Sequence, residues 1–336
     1  MKKALVISAV CILLGLAVAF GGMVMIGFNF TKLNTIQYET KTAIVDTDFQ
    51  SIAINSREHD VTLAKSEDDT CKVVYTTNAG IDCDISVHNG TLTVTCTDTR
   101  AWYERIGIFW GNMGITVYLP QTQYDTLYIQ SVSGNIQVVP SFGFASAKLQ
   151  STSGNVGFCS DVNDTLHVQT VSGNIAVYDS AGKTANIHAT SGDVFCKNIS
   201  AQKAEIITVS GDLTQENIDF DTLLAKTTSG ELQLKNASIG TLTLSTTSGD
   251  ILLSETASTV STDIATSSGD VRLDRADLTA AKIKTISGDV KGTLTKAMDF
   301  YSKTTSGSIR FPESDIAGGS FNVTTTSGDV HITIAD

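Results

Sequence analysis

Aspartate is the residue type whose regular spacing could most readily do chemistry in this sequence. An Asp directly follows a Ser-Gly pair at Asp193, Asp212, Asp250, Asp270, Asp289 and Asp329. Carboxylates repeated in this way could supply the oxygen ligands that Ca²⁺ prefers. However, Asn135, Asn155 and Asn174 stand at the same place in the first three repeats, and the calcium-binding repeat G-G-x-G-x-D is absent. The pattern therefore favours a structural role, in which the side chain bonds nearby backbone amides.

The five histidines are dispersed along the chain. They are His59, His88, His167, His188 and His331. None stands at a spacing typical of a zinc site or beside a candidate nucleophile. We therefore expect each to be a surface residue on a strand, and we predict no catalytic residue, no metal site and no cofactor.

Basic residues that could assist a polysaccharide-cleaving enzyme also look scattered, and we expect them at different positions of the repeat. They are Arg272, Arg275, Lys282, Lys284, Lys291 and Arg310. A carbohydrate-active enzyme acting on envelope polysaccharide remains an alternative, and it would need carboxylates that the fold brings together.

Two of the six cysteines, Cys83 and Cys96, flank the segment ISVHNGTLTV. A two-residue turn at Asn89-Gly90 would set them opposite each other in a non-hydrogen-bonded pair of antiparallel strands. This arrangement predicts a disulfide if the compartment is oxidising. A pair of buried thiols is the alternative.

Both tryptophans lie in one short segment, RAWYERIGIFWGNMG, before the strand ITVYLP. The aromatic residues Trp102, Tyr103, Phe109 and Trp110 could bind a ligand there, by stacking on sugars or resting at a membrane interface. Alternatively, they could fold over one end of the structure as a hydrophobic lid.

A Ser-Gly pair recurs eleven times with a spacing of 19 residues, occasionally 20 or 21. The glycines are Gly134, Gly154, Gly173, Gly192, Gly211, Gly230, Gly249, Gly269, Gly288, Gly307 and Gly328. The residue two after each glycine is aliphatic, as at Ile136 and Val156, and the residue five before it is mostly apolar. A fixed short period of this kind predicts an all-β fold, a β-solenoid of about 19-residue coils.

The two apolar positions are an odd number of residues apart, so in one regular strand their side chains would point to opposite faces. The chain must therefore change which face points inward between them. We expect the change at Ser-Gly, where glycine permits φ > 0, a bulge or close stacking of backbone. The eleven glycines are thus predicted to be structural corners. A Ser or Thr three residues before the glycine could hydrogen-bond from coil to coil.

The sequence predicts three regions. Residues 1–31 form a cytoplasmic stub and transmembrane anchor, because residues 4–28 carry no charge and Lys2 and Lys3 precede them. A signal peptide cleaved after Ala17-Val18-Ala19, which would give a secreted protein, is the alternative. Residues 32–119 form a linker and an irregular N-terminal cap, and residues 120–336 form the regular solenoid.

Charge and chain order indicate which partners to expect. Without Lys2 and Lys3, 21 basic residues face 35 acidic ones, a net charge of −14. This excess repels nucleic acid, which we exclude as a partner. The chain stops directly after its last repeat, so we predict a free strand edge at the C-terminus that could form a homo-oligomer.

The sequence contains an N-terminal apolar segment, the opening DVTL, the strand ITVYLP, the segment YDTLYIQSVSGNI and the serial SGD(V/I) coils. In this combination it resembles the bacterial "putative adhesin" domain of unknown function. The resemblance covers nearly all of residues 45–336. It implies a β-solenoid on the outer side of the membrane, and some relatives are similar to components of Lia-type envelope-stress operons. We therefore predict a non-catalytic, membrane-anchored interaction module, adhesin-like or stress-sensing, with an envelope polymer or protein as its partner. A self-associating structural stalk is a further alternative.

Overall fold

The computed structural model describes residues 2–25, 27–29, 38–101 and 113–335, which form one helix and an all-β chain. The helix α1 spans Lys2–Met25. The strands before the first Ser-Gly coil are β1 (Glu39–Val45), β2 (Ser51–Ser56), β3 (Asp60–Lys65), β4 (Cys71–Thr77), β5 (Ile81–His88), β6 (Thr91–Asp98) and β7 (Gly114–Leu119).

The repeats contain the other strands. They are β8 (Gln123–Ser131), β9 (Ile136–Val138), β10 (Gly143–Ser151), β11 (Val156–Phe158), β12 (Asp161–Ser172), β13 (Ile175–Ser191), β14 (Val194–Ile207), β15 (Leu213–Lys226), β16 (Leu232–Ser245), β17 (Ile251–Ala265), β18 (Val271–Leu278), β19 (Ala280–Lys284), β20 (Val290–Leu294), β21 (Asp299–Lys303), β22 (Ile309–Arg310), β23 (Ser320–Thr324) and β24 (Val330–Ile334). A short 3₁₀ helix, Ile316–Gly318, precedes β23.

Successive coils pair in parallel and in register, so equivalent residues stack on one another. Val194 pairs with Leu213, and Leu213 pairs with Leu232, each 19 residues further along. The apolar residues on both sides of Ser-Gly are buried, for example Ile187 before the corner and Val194 after it. These observations confirm the predicted β-solenoid and the change of inward face. At about 4.8 Å per coil, the stack is on the order of 60 Å long.

The Ser-Gly corners need glycine because the backbones of neighbouring coils approach closely there. A Cβ atom at Gly230 would lie 1.9 Å from the carbonyl oxygen of Gly211 in the preceding coil. We expected a positive φ, a bulge or close backbone stacking at these glycines. Close backbone stacking is the role that the glycines of successive coils have in common. The backbone conformation matters in addition at Gly211, whose φ is +156°.

Threonine hydroxyls reinforce the same corner. The Thr208 Oγ1 hydroxyl donates to the carbonyl oxygen of Gly192 at 3.0 Å, and Thr227 donates to Gly211 at 3.2 Å. At these two corners the hydroxyl three residues before the glycine therefore bonds to the preceding coil, as the sequence suggested.

A second corner, six residues after the glycine, was not predicted. Asp179, Asn198, Asn217 and Asn236 adopt φ between 47° and 55° there, the left-handed region that Asn and Asp tolerate best among residues with a Cβ. The Asn217 Nδ2 group donates to Asn198 Oδ1 at 3.0 Å, and Asn236 donates to Asn217 at 2.8 Å. Each of these four coils thus has two hydrogen-bonded corners.

At the N-terminal end, the spatial order of the coils differs from the sequence order. Strand β2 lies between β6 and β8, and β3 lies between β7 and β9. Strand β4 pairs in the antiparallel direction with β1 and β7, and β5 does so with β6. The segment SIAINSREHDVTLAK therefore forms a complete coil without Ser-Gly, and later strands cover it.

The C-terminal end has the same kind of interleaving. Strand β24 lies between β20 and β22, and β23 lies between β19 and β21. The prediction that the last repeat forms a free edge is therefore wrong, because the coil of Gly307 lies outside it. The outer strand β22 has only two residues and is followed by Pro312, and both features discourage pairing with another chain.

Helix α1 coincides with the predicted transmembrane segment. Within the part of the chain that the structure describes, no helix is long and apolar enough to cross a membrane.

One polar side chain lies inside the apolar core. Gln215 is fully buried, four residues after Gly211, in a column that contains Cys196 and Leu234 in the adjacent coils. Neither its Nε2 nor its Oε1 has a hydrogen-bond partner among the described residues. Burial of an amide without a partner is unfavourable by about 1–3 kcal/mol.

We predict that Gly230→Ala lowers the free energy of unfolding by at least about 2–3 kcal/mol, because the added methyl group meets backbone that cannot move aside. Gly157→Ala is the matched control. There the three atoms nearest to the Cβ would all belong to the side-chain amide of Gln137, which can rotate. Urea unfolding followed by circular dichroism measures both, and equal stability of the two variants would contradict the stacking role.

We predict that Gln215→Leu raises the free energy of unfolding by about 1–3 kcal/mol, since it removes the unpaired amide and keeps a side chain of similar size. Leu234→Gln, one coil further along the same column, should lower it by about 2–4 kcal/mol. Both are measured by urea unfolding. A less stable Gln215→Leu protein would mean that the amide has a partner.

Candidate functional site

The predicted cysteine pair lies in the hairpin of β5 and β6. Asn89 and Gly90 have φ of 50° and 73°, the left-handed conformation of a type I′ turn. The turn sets Cys83 opposite Cys96, with 4.1 Å between their Cα atoms, and the structure joins them in a disulfide. This hairpin covers the coil that contains β2.

His59 lies beside this disulfide and is buried, so the expectation that every histidine lies on the surface is wrong for this residue. It occupies the corner of the first coil, where later coils have glycine, because its carbonyl group stacks on Gly134. Its side chain is 3% exposed and bonds to Ser56 and to the carbonyl oxygen of Thr76.

One ligand atom from each of His59, Cys83 and Cys96 lies within 4.8 Å of the others. We call these three residues the His59–disulfide cluster. Sequence analysis missed the cluster, because the coil that contains His59 pairs with β6, a strand about forty residues further along the chain.

The predicted aromatic residues Trp102, Tyr103, Phe109 and Trp110 lie outside the described residues. Their two interpretations, a ligand site and a lid, therefore stay predictions.

The aspartate column is hydrogen-bonded to backbone. Asn174 Oδ1 accepts the N–H of Asp193 at 2.9 Å, Asp193 Oδ1 accepts that of Asp212 at 2.9 Å, and Asp212 Oδ1 accepts that of Glu231 at 2.8 Å. Asn and Asp thus make the same bond, which runs to the next coil. This geometry gives the column a structural role at the corner.

Several basic residues share one column, three residues after the glycine, so the expectation that they occupy different positions is wrong for them. In spatial order the column contains Arg272, Lys291, His331 and Arg310. The guanidinium of Arg272 bridges the carboxylates of Asp250 and Asp270 at 2.8 and 3.0 Å. The column therefore lies beside the corner aspartates and is partly neutralised by them.

A second cluster of polar and aromatic side chains projects outward near the N-terminal end, from β8, β10, β12 and β13. We call it the polar face, and it consists of Tyr128, Gln130, Lys148, Gln150, His167, Gln169 and His188. These residues stand six or four positions before the Ser-Gly glycine in successive coils. The residues next to them in each strand point inward, so they point outward.

Contacts within the polar face hold its planar groups in place. The Lys148 Nζ atom lies 5.8 Å from the ring centroid of Tyr128, within the range of a cation–π contact. The rings of His167 and His188 meet edge to face, with centroids 6.2 Å apart. Burial, and then the charges of His188 and Lys148, hold the pKa of His167 below its ordinary value. This shift favours the neutral ring, which offers one donor and one acceptor nitrogen.

Amides complete the polar face. The Gln150 Nε2 group donates to Gln169 Oε1 at 3.2 Å, and the Tyr128 hydroxyl donates to Gln130 Oε1 at 2.8 Å. Gln130 and Gln169 are exposed, so their remaining donors and acceptors face solvent. The result is a flat surface of rings and amides at the spacing of the coils, suited to hydrogen bonding and stacking with a polyhydroxylated polymer.

Comparisons with known proteins agree with this fold. The family model described as Toastrack DUF4097 matches residues 49–274 and 256–336. No curated protein matches the chain in sequence.

Similar solved structures include proteins from two Parabacteroides species. A "putative adhesin" from Parabacteroides merdae is 16% identical, with 77% of this chain and 97% of that chain covered and a TM-score of 0.50. A "putative adhesin" from Parabacteroides distasonis is also 16% identical over the same shares, with a TM-score of 0.46. A "putative lipid binding protein" from Parabacteroides distasonis is 13% identical, covering 89% and 98%, with a TM-score of 0.35.

Proposed function

Because the chain belongs to the Toastrack DUF4097 family, we propose that it is an interaction module that acts by contact on the outer side of a bacterial membrane. Its contacts serve adhesion or the sensing of envelope damage. The observation that carries this proposal is the polar face, which offers rings and amides to a partner on a rigid sheet. The "putative adhesin" of Parabacteroides merdae, which shares the fold, is described in terms that agree with it.

The proposed partner is an envelope polysaccharide. Hydroxyl groups of a sugar chain can bond to the amides of Gln130 and Gln169, and a sugar ring can stack on Tyr128. The net charge of −14 outside Lys2 and Lys3 disfavours a strongly anionic polymer. The polar face carries only Lys148 as a fixed positive charge, which also fits a polymer of low charge.

The proposed module is non-catalytic. Supporting this, the aspartates of the corner column accept backbone N–H groups, and Arg272 pairs with two of them. Release of soluble sugar from purified envelope polysaccharide by the protein would overturn this part of the proposal.

We predict that Tyr128→Ala combined with Gln150→Ala weakens binding to purified peptidoglycan sacculi at least about tenfold, equivalent to about 1.4 kcal/mol. The variant removes one ring and one amide from the polar face and leaves the inward residues intact. Binding is measured by co-sedimentation of the full chain, kept in mild detergent, with the sacculi.

Tyr178→Ala is the matched control, because it removes an exposed tyrosine from another side of the solenoid. It should bind as the unaltered chain does. Equal losses in the two variants, or no binding by the unaltered chain, would contradict the polar face as the site.

We further propose that the N-terminal segment anchors the module as a single-pass protein with its N-terminus in the cytoplasm. The support comes from the sequence, in which residues 4–28 carry no charge and follow Lys2 and Lys3.

We predict that the full chain with a C-terminal tag stays in the membrane pellet after alkaline carbonate extraction, because its apolar segment is held in lipid. A chain without residues 1–31 should be released. Mass spectrometry of the mature N-terminus provides the control, since cleavage after Ala19 would show a secreted protein and contradict the anchor.

A further inference from the structure

The His59–disulfide cluster has the features of a metal site that oxidation keeps closed. His59 is 3% exposed and Cys96 is 5% exposed, so both side chains are shielded from bulk water. The three side chains come from different segments, and the pairing of β2 with β6 and of β5 with β6 brings them together. The corner geometry at Gly134 requires the backbone of residue 59 but not an imidazole, so it leaves the choice of histidine unexplained.

Hydrogen bonds fix the tautomer of His59. Its Nε2 atom lies 2.7 Å from the carbonyl oxygen of Thr76, and a carbonyl only accepts, so Nε2 carries the proton. The lone pair is therefore on Nδ1, which lies 3.3 Å from the Ser56 hydroxyl. A ring whose N–H is held by a backbone carbonyl is the arrangement that metal-binding histidines adopt, because it orients the ring and raises its basicity.

The distances suit a small tetrahedral site. Zinc binds sulfur at about 2.3 Å and nitrogen at about 2.0–2.1 Å, which places ligand atoms about 3.5–3.8 Å apart. One ring nitrogen of His59 and the two sulfur atoms already lie within 4.8 Å of one another. Rotation of the two cysteine side chains after reduction is the movement that the site requires.

A cavity reaches the cluster from the surface. It has a volume of about 260 Å³, and its lining includes Cys96, Ser56, Thr95 and Gln130. A buried site needs such an entry path for the metal and for a reductant.

We propose that reduction of the Cys83–Cys96 disulfide creates a zinc site with His59, Cys83 and Cys96 as ligands. A dithiol reductant supplies two electrons and two protons, becomes a disulfide itself, and leaves two thiols on the protein. Binding of Zn²⁺ then releases those two protons, and the two thiolates balance the charge of the ion. The fourth position opens toward the cavity and takes water. In the reverse step a disulfide oxidant takes two electrons from the thiolates, is itself reduced to thiols with two protons from solvent, and leaves the Cys83–Cys96 disulfide without metal, so occupancy reports the redox state of the compartment.

The buried thiols outside the cluster, Cys71, Cys159 and Cys196, are poor competitors. Burial raises the pKa of Cys71 to about 11 and that of Cys196 to about 12, and it also raises the pKa of Cys159. These thiols stay protonated at neutral pH, whereas metals bind the thiolate.

The test is a titration of the full chain in mild detergent with Co²⁺, followed by displacement with Zn²⁺. We expect the reduced chain to bind a single Co²⁺, with thiolate charge-transfer and tetrahedral visible bands, and the oxidised chain to show neither. Cys83→Ser and Cys96→Ser should abolish the charge-transfer band at this site. His59→Gln, which can still donate to Thr76, should weaken Co²⁺ binding at least about tenfold.

Cys71→Ser is the matched control, because Cys71 is a buried core cysteine outside the cluster, and it should leave the titration unchanged. Bands of equal strength in the oxidised chain, no bands in the reduced chain, or unweakened binding by His59→Gln would overturn the proposal. Circular dichroism accompanies each titration. A reduced chain that loses its β signal and does not recover it with Zn²⁺ would overturn it as well.

Discussion

The rest of this structure depends on the close contact between the backbones of neighbouring coils at the Ser-Gly corners. A Cβ atom at most of these glycines would lie about 2 Å from the carbonyl oxygen of the coil below, so the coils can stack only where the side chain is missing. That approach holds the coils in register, and the register brings every other column into line. The apolar core, the hydroxyl ladder and the aspartate column all follow from it.

Once the corners stack, polar groups near them find partners in the neighbouring coil. Thr208 bonds to Gly192 and Asp193 bonds to the N–H of Asp212, so neither side chain needs water or a ligand. The side chains left to meet a partner are those on the flat sides of the coils. In the N-terminal half these sides carry rings and amides, whereas near the C-terminal end Arg272 is engaged with corner aspartates.

The regular part of this fold could be read from the sequence because its determinants repeat. Gly134 and its ten counterparts mark the corners, and aliphatic residues such as Val156 mark the inward positions. The second corner went unnoticed because Asp179, Asn198, Glu255 and Arg275 share a left-handed backbone but no common chemistry. The surroundings of His59 depend on which strands pair with its coil. At this end of the solenoid the order of the strands in the sheet differs from their order in the sequence. Pairing between segments far apart in sequence is decided by tertiary packing, which no local pattern records.

The interleaved ends determine how such a molecule can change in length. At both termini a coil is inserted between two others, so β24 has neighbours on both sides and a further repeat appended after residue 336 could not pair with it directly. From β12 to β16 the register is uniform at 19 residues, and a 19-residue unit duplicated there would meet the same corners above and below. A solenoid built in this way therefore grows by internal duplication, and its two terminal structures stay the same whatever the number of coils between them.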